Sequence, residues 1–200
     1  MSASSRRAGT ATSAPGGCTP TAPSGRASGS ERVDNACVCN VHHHHAYWRL
    51  DFDIAGAADD SVLEFNDPPL AGQDRNWHTL RHEIRRKRNP GRTRRWRVRN
   101  RGSGEGYVIT PGDEDGEADA FGVGDFWALR RRAGQFDDGQ GFTTDREEAR
   151  AHIDRFVNGD PIVGTDVVVW YAAHFSHDVL GETADEHGHI VGPTLSPDRW

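Results

Sequence analysis

Four consecutive histidines, His42 to His45, run straight into Ala46-Tyr47-Trp48-Arg49-Leu50-Asp51-Phe52-Asp53. In an extended chain residues i and i+2 share a face, so His42 and His44 can grip one ion while His43 and His45 point to the other side. Neutral imidazoles suit Cu(II) and Zn(II), and two of them on one strand fix two coordination directions. A histidine run alone can be an expression tag or a loose surface chelator, but this one is internal and continues into a strand pattern. Cys37 and Cys39 precede it by a few residues and share a strand face, which makes them soft metal ligands or, equally, half-buried thiols. With Cys18 they number three, so no even disulfide framework exists. His187 and His189 form a further weak pair in a segment that reads as surface.

The elements that must position these groups are short. Candidate strands are Tyr47 to Ile54, Val62 to Phe65, Trp77 to Ile84, Arg95 to Arg99, Tyr107 to Thr110, Phe126 to Arg130 and Asp166 to His174. They are rich in aromatic and β-branched residues and are separated by Gly, Pro, Asp and Asn, a spacing that predicts a mainly β protein built as an antiparallel sandwich. One short amphipathic helix is predicted over Thr144 to Val157, with a capping box in Thr144 and Glu147 and an Asn158-Gly159 stop. Val179 to Trp200 reads as an irregular arm along the sheet.

Hydrophobic residues make up 34% of the chain, which suggests that part of it lacks a core. Met1 to Arg32 contains no Val, Leu, Ile, Phe, Trp or Tyr, so residues 1-35 are expected to be a disordered low-complexity tail. Residues 36-200 form the folded unit. Arg6-Arg7 is followed by no apolar stretch, which argues against a signal peptide, and no run is long enough to span a membrane; a soluble protein of unassigned location is expected. The net charge of -6 conceals eleven Arg or Lys between Arg81 and Arg101. Nucleic-acid binding is one reading of that stretch. In Arg95-Trp96-Arg97-Val98-Arg99, however, arginines alternate with apolar residues, and a solvated sheet face fits better, with no nucleic-acid partner.

The stretch His42 to Asp53 resembles the copper amine oxidase signature, in which His-x-His is followed at fixed spacing by an aromatic residue and Arg-Leu-Asp-x-Asp. Asp166-Val167-Val168-Val169-Trp170-Tyr171 through His177 is similar to the family's Asp-Ile-Val-Leu-Trp segment, whose third copper histidine stands eleven residues after the aspartate, as His177 does after Asp166. Tyr107 to Gly112 and Phe126 to Leu129 resemble two intervening strands of the family in the expected order. The resemblance covers about residues 40 to 180 and implies the C-terminal part of the family's catalytic domain. It makes His42, His44 and His177 copper ligands. It further implies a peripheral calcium-like ion held by Asp51, the Phe52 carbonyl, Asp53, Asp166 and the Val167 carbonyl, a hard oxygen cage of the kind Ca²⁺ prefers. His43, His45 and His174 are placed behind the ligands or in packing, His174 having no counterpart in the family motif.

The family oxidises primary amines to aldehydes with O2, using copper and a quinone formed from its own tyrosine, topaquinone, and is expected to work as a homodimer. The precursor tyrosine lies upstream of the His-x-His in an Asn-Tyr-Asp/Glu motif. The first tyrosine here is Tyr47, outside any such motif, and no candidate for the catalytic base precedes it. The Pro-Arg ending after the third histidine is also replaced from Asp178 onward. Two readings follow: a copper-binding piece of an amine oxidase, inactive alone, or a non-catalytic metal-binding β module. A nucleic-acid binder built on Arg81 to Arg101 is a third. Half of a large sandwich is also expected to expose sheet edges and self-associate.

Overall fold

The structure is a computed structural model that describes residues 42–118, 124–135, 153–177 and 190–200, with the side chains of His42 and His177 excepted. The tail, the three cysteines, His187 and His189 lie outside these residues. Nine strands are described: β1 (His42–Asp51), β2 (Asp60–Phe65), β3 (Trp77–Thr79), β4 (Ile84–Arg86), β5 (Arg95–Asn100), β6 (Gly106–Thr110), β7 (Phe126–Arg130), β8 (Val167–His177) and β9 (Thr194–Asp198). They form two antiparallel sheets, one ordered β1-β8-β7-β4 and the other β3-β2-β5-β6-β9. The predicted antiparallel sandwich is the fold observed.

Between the sheets Leu50, Val167, Val169, Tyr171, Ala173, Phe126 and Ala128 meet Val62, Trp96, Val98 and Ile109. Trp96 lies parallel to Phe126 at a centroid distance of 4.1 Å and meets Tyr171 edge-on at 6.4 Å. The four-stranded sheet is also covered on its far side, where Trp127, Leu129, Val168, Trp170 and Ala172 pack with Ile153, Tyr47, Phe156 and Val157. That double burial explains why Val167 to Ala173 is an unbroken apolar run, the pattern of a strand with no wet face. In the five-stranded sheet β5 alternates, with Trp96, Val98 and Asn100 pointing inward and its arginines half-buried on the outer face.

Two expectations are corrected, and a third is tested only at its end. Trp77 to Ile84 is not one strand but two, β3 and β4, in different sheets. Leu80 is buried in the core between them, and the Glu83 N–H is taken by the Asp160 carbonyl, so the chain turns through the core instead of running straight. The C-terminal arm is not irregular throughout, because β9 pairs with β6 from Gly106–Asp198 to Thr110–Thr194. It is an edge strand, where Pro197 is tolerated. The predicted helix lies outside the described residues except for its last turn, and that turn is a 3-10 segment, Asp154–Phe156.

One buried carboxylate ties the two sheets. Glu64 of β2 is fully buried, and its oxygens accept from Asn66 Nδ2 (2.9 Å), Arg86 Nε (3.0 Å) and Trp96 Nε1 (3.2 Å), with Arg94 Nε at 3.4 Å. His78 Nε2 stands 3.5 Å away, and burial pushes that imidazole below its ordinary range despite the nearby carboxylate. Removing one partner of such a group strands the others' charge in low dielectric. Glu64→Gln is therefore expected to cost about 3–5 kcal/mol of stability, read from the midpoint of urea unfolding; a loss below about 1 kcal/mol would show that the arginines re-solvate freely.

Candidate metal centres

β1 and β8 pair over ten positions in one register, with His42 opposite His177, His43 opposite Ser176, His44 opposite Phe175 and His45 opposite His174. Directly opposed residues share a sheet face. Positions 42, 44, 175 and 177 therefore form one set, which continues inward to Trp48 and Tyr171, rings 6.3 Å apart. The His44 ring lies nearly flat on Phe175, with centroids 4.8 Å apart and an interplanar angle of 12°. Two strands far apart in sequence thus bring three histidine positions to the same end of one ladder.

The other face carries a second histidine group. His45 and His174 are both buried, with their Nδ1 atoms 2.5 Å apart and rings edge-to-face at 67°. His174 Nε2 lies 2.9 Å from Asp125 Oδ1. The Asp125 carboxylate, itself buried, also accepts the N–H groups of Arg88 (2.6 Å) and Ala118 (3.1 Å). His43 Nδ1 is 2.8 Å from the Ser176 hydroxyl. Sequence reasoning passed over Asp125, whose only signal is a Gly-Asp step before β7.

At the opposite end of the ladder Asp51, Asp53 and Asp166 converge, each offering a carboxylate oxygen within 4.8 Å of the others. Phe52 stands between the two β1-end aspartates, its ring on Tyr107 at 5.4 Å, and Val167 follows Asp166 as the first residue of β8. Arg49 and Arg131 approach Asp51 at 3.1 and 3.4 Å, and Arg131 is 3.8 Å from Asp166. The guanidiniums do not neutralise the group fully: burial, then Asp51 and Asp53, push the Asp166 carboxyl up against the pull of Arg131. Asp60, fully buried close by, has neither oxygen hydrogen-bonded among the described residues. Burial, helped by Asp166, Asp53 and Asp59 and opposed by Asn100, raises it to about 7. Such crowding of oxygen donors is what a hard cation relieves.

The three tyrosines are all occupied structurally. The Tyr171 hydroxyl donates to Asp115 in the core, and burial with that carboxylate pushes its ionisation well above the ordinary range. Tyr107 packs against Phe52 and Trp200, and Tyr47 against Trp127 on the far face. Most of the basic stretch is committed too. Arg86 and Arg94 hold Glu64, Arg88 caps the carbonyls of Gly112 and Gly116, and Arg95 and Arg97 lie over Phe65 and Trp77 at 4.2 and 4.3 Å.

No protein-family model and no curated protein matches the sequence. Solved structures do match the fold. The Pichia pastoris lysyl oxidase superposes with a TM-score of 0.53 at 14% identity, over 80% of this chain and 26% of that one. A copper-containing benzylamine oxidase from Hansenula polymorpha gives 0.53 at 14%, over 80% and 29%, and an Aspergillus nidulans amine oxidase 0.50 at 17%, over 80% and 26%. The sandwich is thus the fold of part of these amine oxidases, as the sequence motifs imply, and the chain spans about a quarter of their length. No helix among the described residues is long and apolar enough to cross a membrane.

Asp60 gives the site a pH dependence whose sign is fixed. Its folded value of about 7 exceeds its unfolded value of 3.8, so between those limits the folded state holds the extra proton and stability falls as pH rises. In chelator-treated protein Asp60→Asn is expected to flatten the decline of urea stability between pH 4 and pH 7, and an unchanged slope would remove Asp60 as its source.

Proposed function

We propose that this chain is the copper-binding C-terminal part of a copper amine oxidase-like protein, with copper held by His42, His44 and His177 and water completing the site. The observation that carries the reading is the β1–β8 register, which sets His177 directly across from His42 and two positions from His44's row. Three neutral imidazoles from a paired strand end form a donor set that suits Cu(II). Phe175, stacked on His44, limits the ring's freedom and so lowers the entropy lost on binding.

At the other end Asp51, Asp53 and Asp166, with the carbonyls of Phe52 and Val167, hold a calcium-like ion that fastens the start of β8 to the end of β1. The convergence of the three carboxylates and the raised carboxyls of Asp166 and Asp60 support this.

In the intact protein a copper ion held by His42, His44 and His177 would support the O2-dependent oxidation of a tyrosine to the quinone and the return of electrons to O2, the chemistry by which a primary amine leaves as aldehyde with NH3 and H2O2. The tyrosines described here do not fit that quinone: each is held in packing, and the Tyr171 hydroxyl is locked on Asp115. The chain alone therefore binds metal without oxidising amines, and the quinone tyrosine and catalytic base come from sequence outside it, in an assembly that is a homodimer. The same observation favours the second reading, a metal-binding β module with no redox role.

Copper titration followed by electron paramagnetic resonance tests the centre. His44→Ala and His177→Ala should each remove one equivalent of nitrogen-coordinated copper from the wild-type signal. Spectra unaltered by both substitutions would end the proposal. Phenylhydrazine should give no coloured adduct with the copper-loaded wild type; an adduct would mean that a tyrosine of this chain does form the quinone.

A further inference from the structure

The four-histidine run divides between two faces, and the proposed copper centre uses only one of them. On the other face the ladder gathers His43, His45 and His174. We infer that His45 and His174 form a second transition-metal site, with His43 as a third imidazole and Asp125 as the residue that orients His174. This inference does not rest on the copper centre, and the two can fail separately.

Three features of the geometry carry it. First, the two buried rings present nitrogens to one point: His45 Nδ1 and His174 Nδ1 are 2.5 Å apart, and their strands are adjacent and directly in register. With metal–nitrogen bonds of about 2.0–2.1 Å in a tetrahedral site, the two nitrogens stand about 3.3–3.4 Å apart, so the rings must part by a little under ~1 Å to admit an ion. Secondly, the outer nitrogen of His174 already has the partner that metal-binding histidines use. Its Nε2 lies 2.9 Å from Asp125 Oδ1, which places the proton there and leaves Nδ1 as the basic atom. Asp125 is fixed in turn by the N–H groups of Arg88 and Ala118. Thirdly, His43 is two residues from His45 on the same strand, at the exposed rim, with its Nδ1 on the Ser176 hydroxyl. It is not within ligating distance of the pair as it stands and would join it only by leaving Ser176.

Chemically, the His45 Nδ1–H now donates to the His174 lone pair. An ion entering between them takes both lone pairs, and the His45 proton moves to its own Nε2, so neutral rings load without net release of protons. Imidazole nitrogens select Zn(II), Cu(II) or Ni(II) and not calcium.

Zinc on the full-length, chelator-stripped chain is the probe, counted after equilibrium dialysis. His44→Ala, which disables the first face, should still bind one zinc, while His44→Ala/His174→Asn and His44→Ala/His45→Gln should bind none. Asp125→Asn in the His44→Ala background should weaken the remaining ion by about 10- to 100-fold. Double variants that keep the zinc of His44→Ala overturn the inference. If instead His44→Ala binds as much zinc as wild type and His174→Asn still loses one equivalent, the first centre is wrong and the second stands. Because His174 and Asp125 are buried, zinc-soaked wild-type crystals give a readout free of folding effects. Anomalous density about 2.1 Å from both Nδ1 atoms supports the site, and its absence there overturns it.

Discussion

The register of β1 against β8 is the constraint on which everything else in this molecule turns. A slip of one residue in a strand exchanges its two faces, so each histidine of the run would pass to the wrong side. Within β8, Val167 to Ala173 is apolar on both faces, and the Tyr171 hydroxyl on Asp115 marks one of them. β1 adds the stronger constraint. Leu50 is buried toward the other sheet, whereas Arg49 beside it reaches Asp51 on the rim, and exchanging them would bury a guanidinium in the core. The choice of which imidazoles meet is therefore made several residues away from them, by one leucine and one arginine.

A second theme is the use of arginine as internal mortar. Glu64 sits with Arg86, Arg94 and the Trp96 indole. Glu83, also buried, takes the Arg132 guanidinium at 2.7 Å and the N–H groups of Arg130 and Asn158. The hydrogen bonds that Arg132 donates to Glu83 and Asp160 hold it more firmly protonated than usual. These groups join β2 to β5 and the start of β4 to the loops flanking β7 and β8. A stretch that looks like a polyanion-binding surface in composition is thus largely consumed within the fold, and the cation-π stacks of Arg95 and Arg97 dispose of much of the rest.

What the sequence reveals follows how local the cause is. The β5 alternation was legible because the strand period is written in adjacent residues, and Phe126–Arg130 because a short apolar run marks a strand buried on both faces. The division of Trp77 to Ile84 between two sheets was not, since a turn through the core differs from a strand only in its distant partners. β9 was hidden because Thr194–Asp198 carries too little apolar character to announce itself, and its pairing comes from β6. Among the candidate ligands, motif spacing singled out the histidines and the three aspartates. Asp125 and Asp60 had no such signal: one matters through a histidine 49 residues later in the chain, the other through burial alone.

The absence of a wet face on β8 has one more consequence. Polar chemistry can surface only at the tips of that strand, and the tips lie about 30 Å apart along the ladder at roughly 3.3 Å per residue. At physiological ionic strength charges separated by several screening lengths scarcely sense one another. Occupying the aspartate end thus leaves the potential at the imidazole end untouched. Any communication between the two has to travel as rigidity, through a girder whose ends are clamped independently.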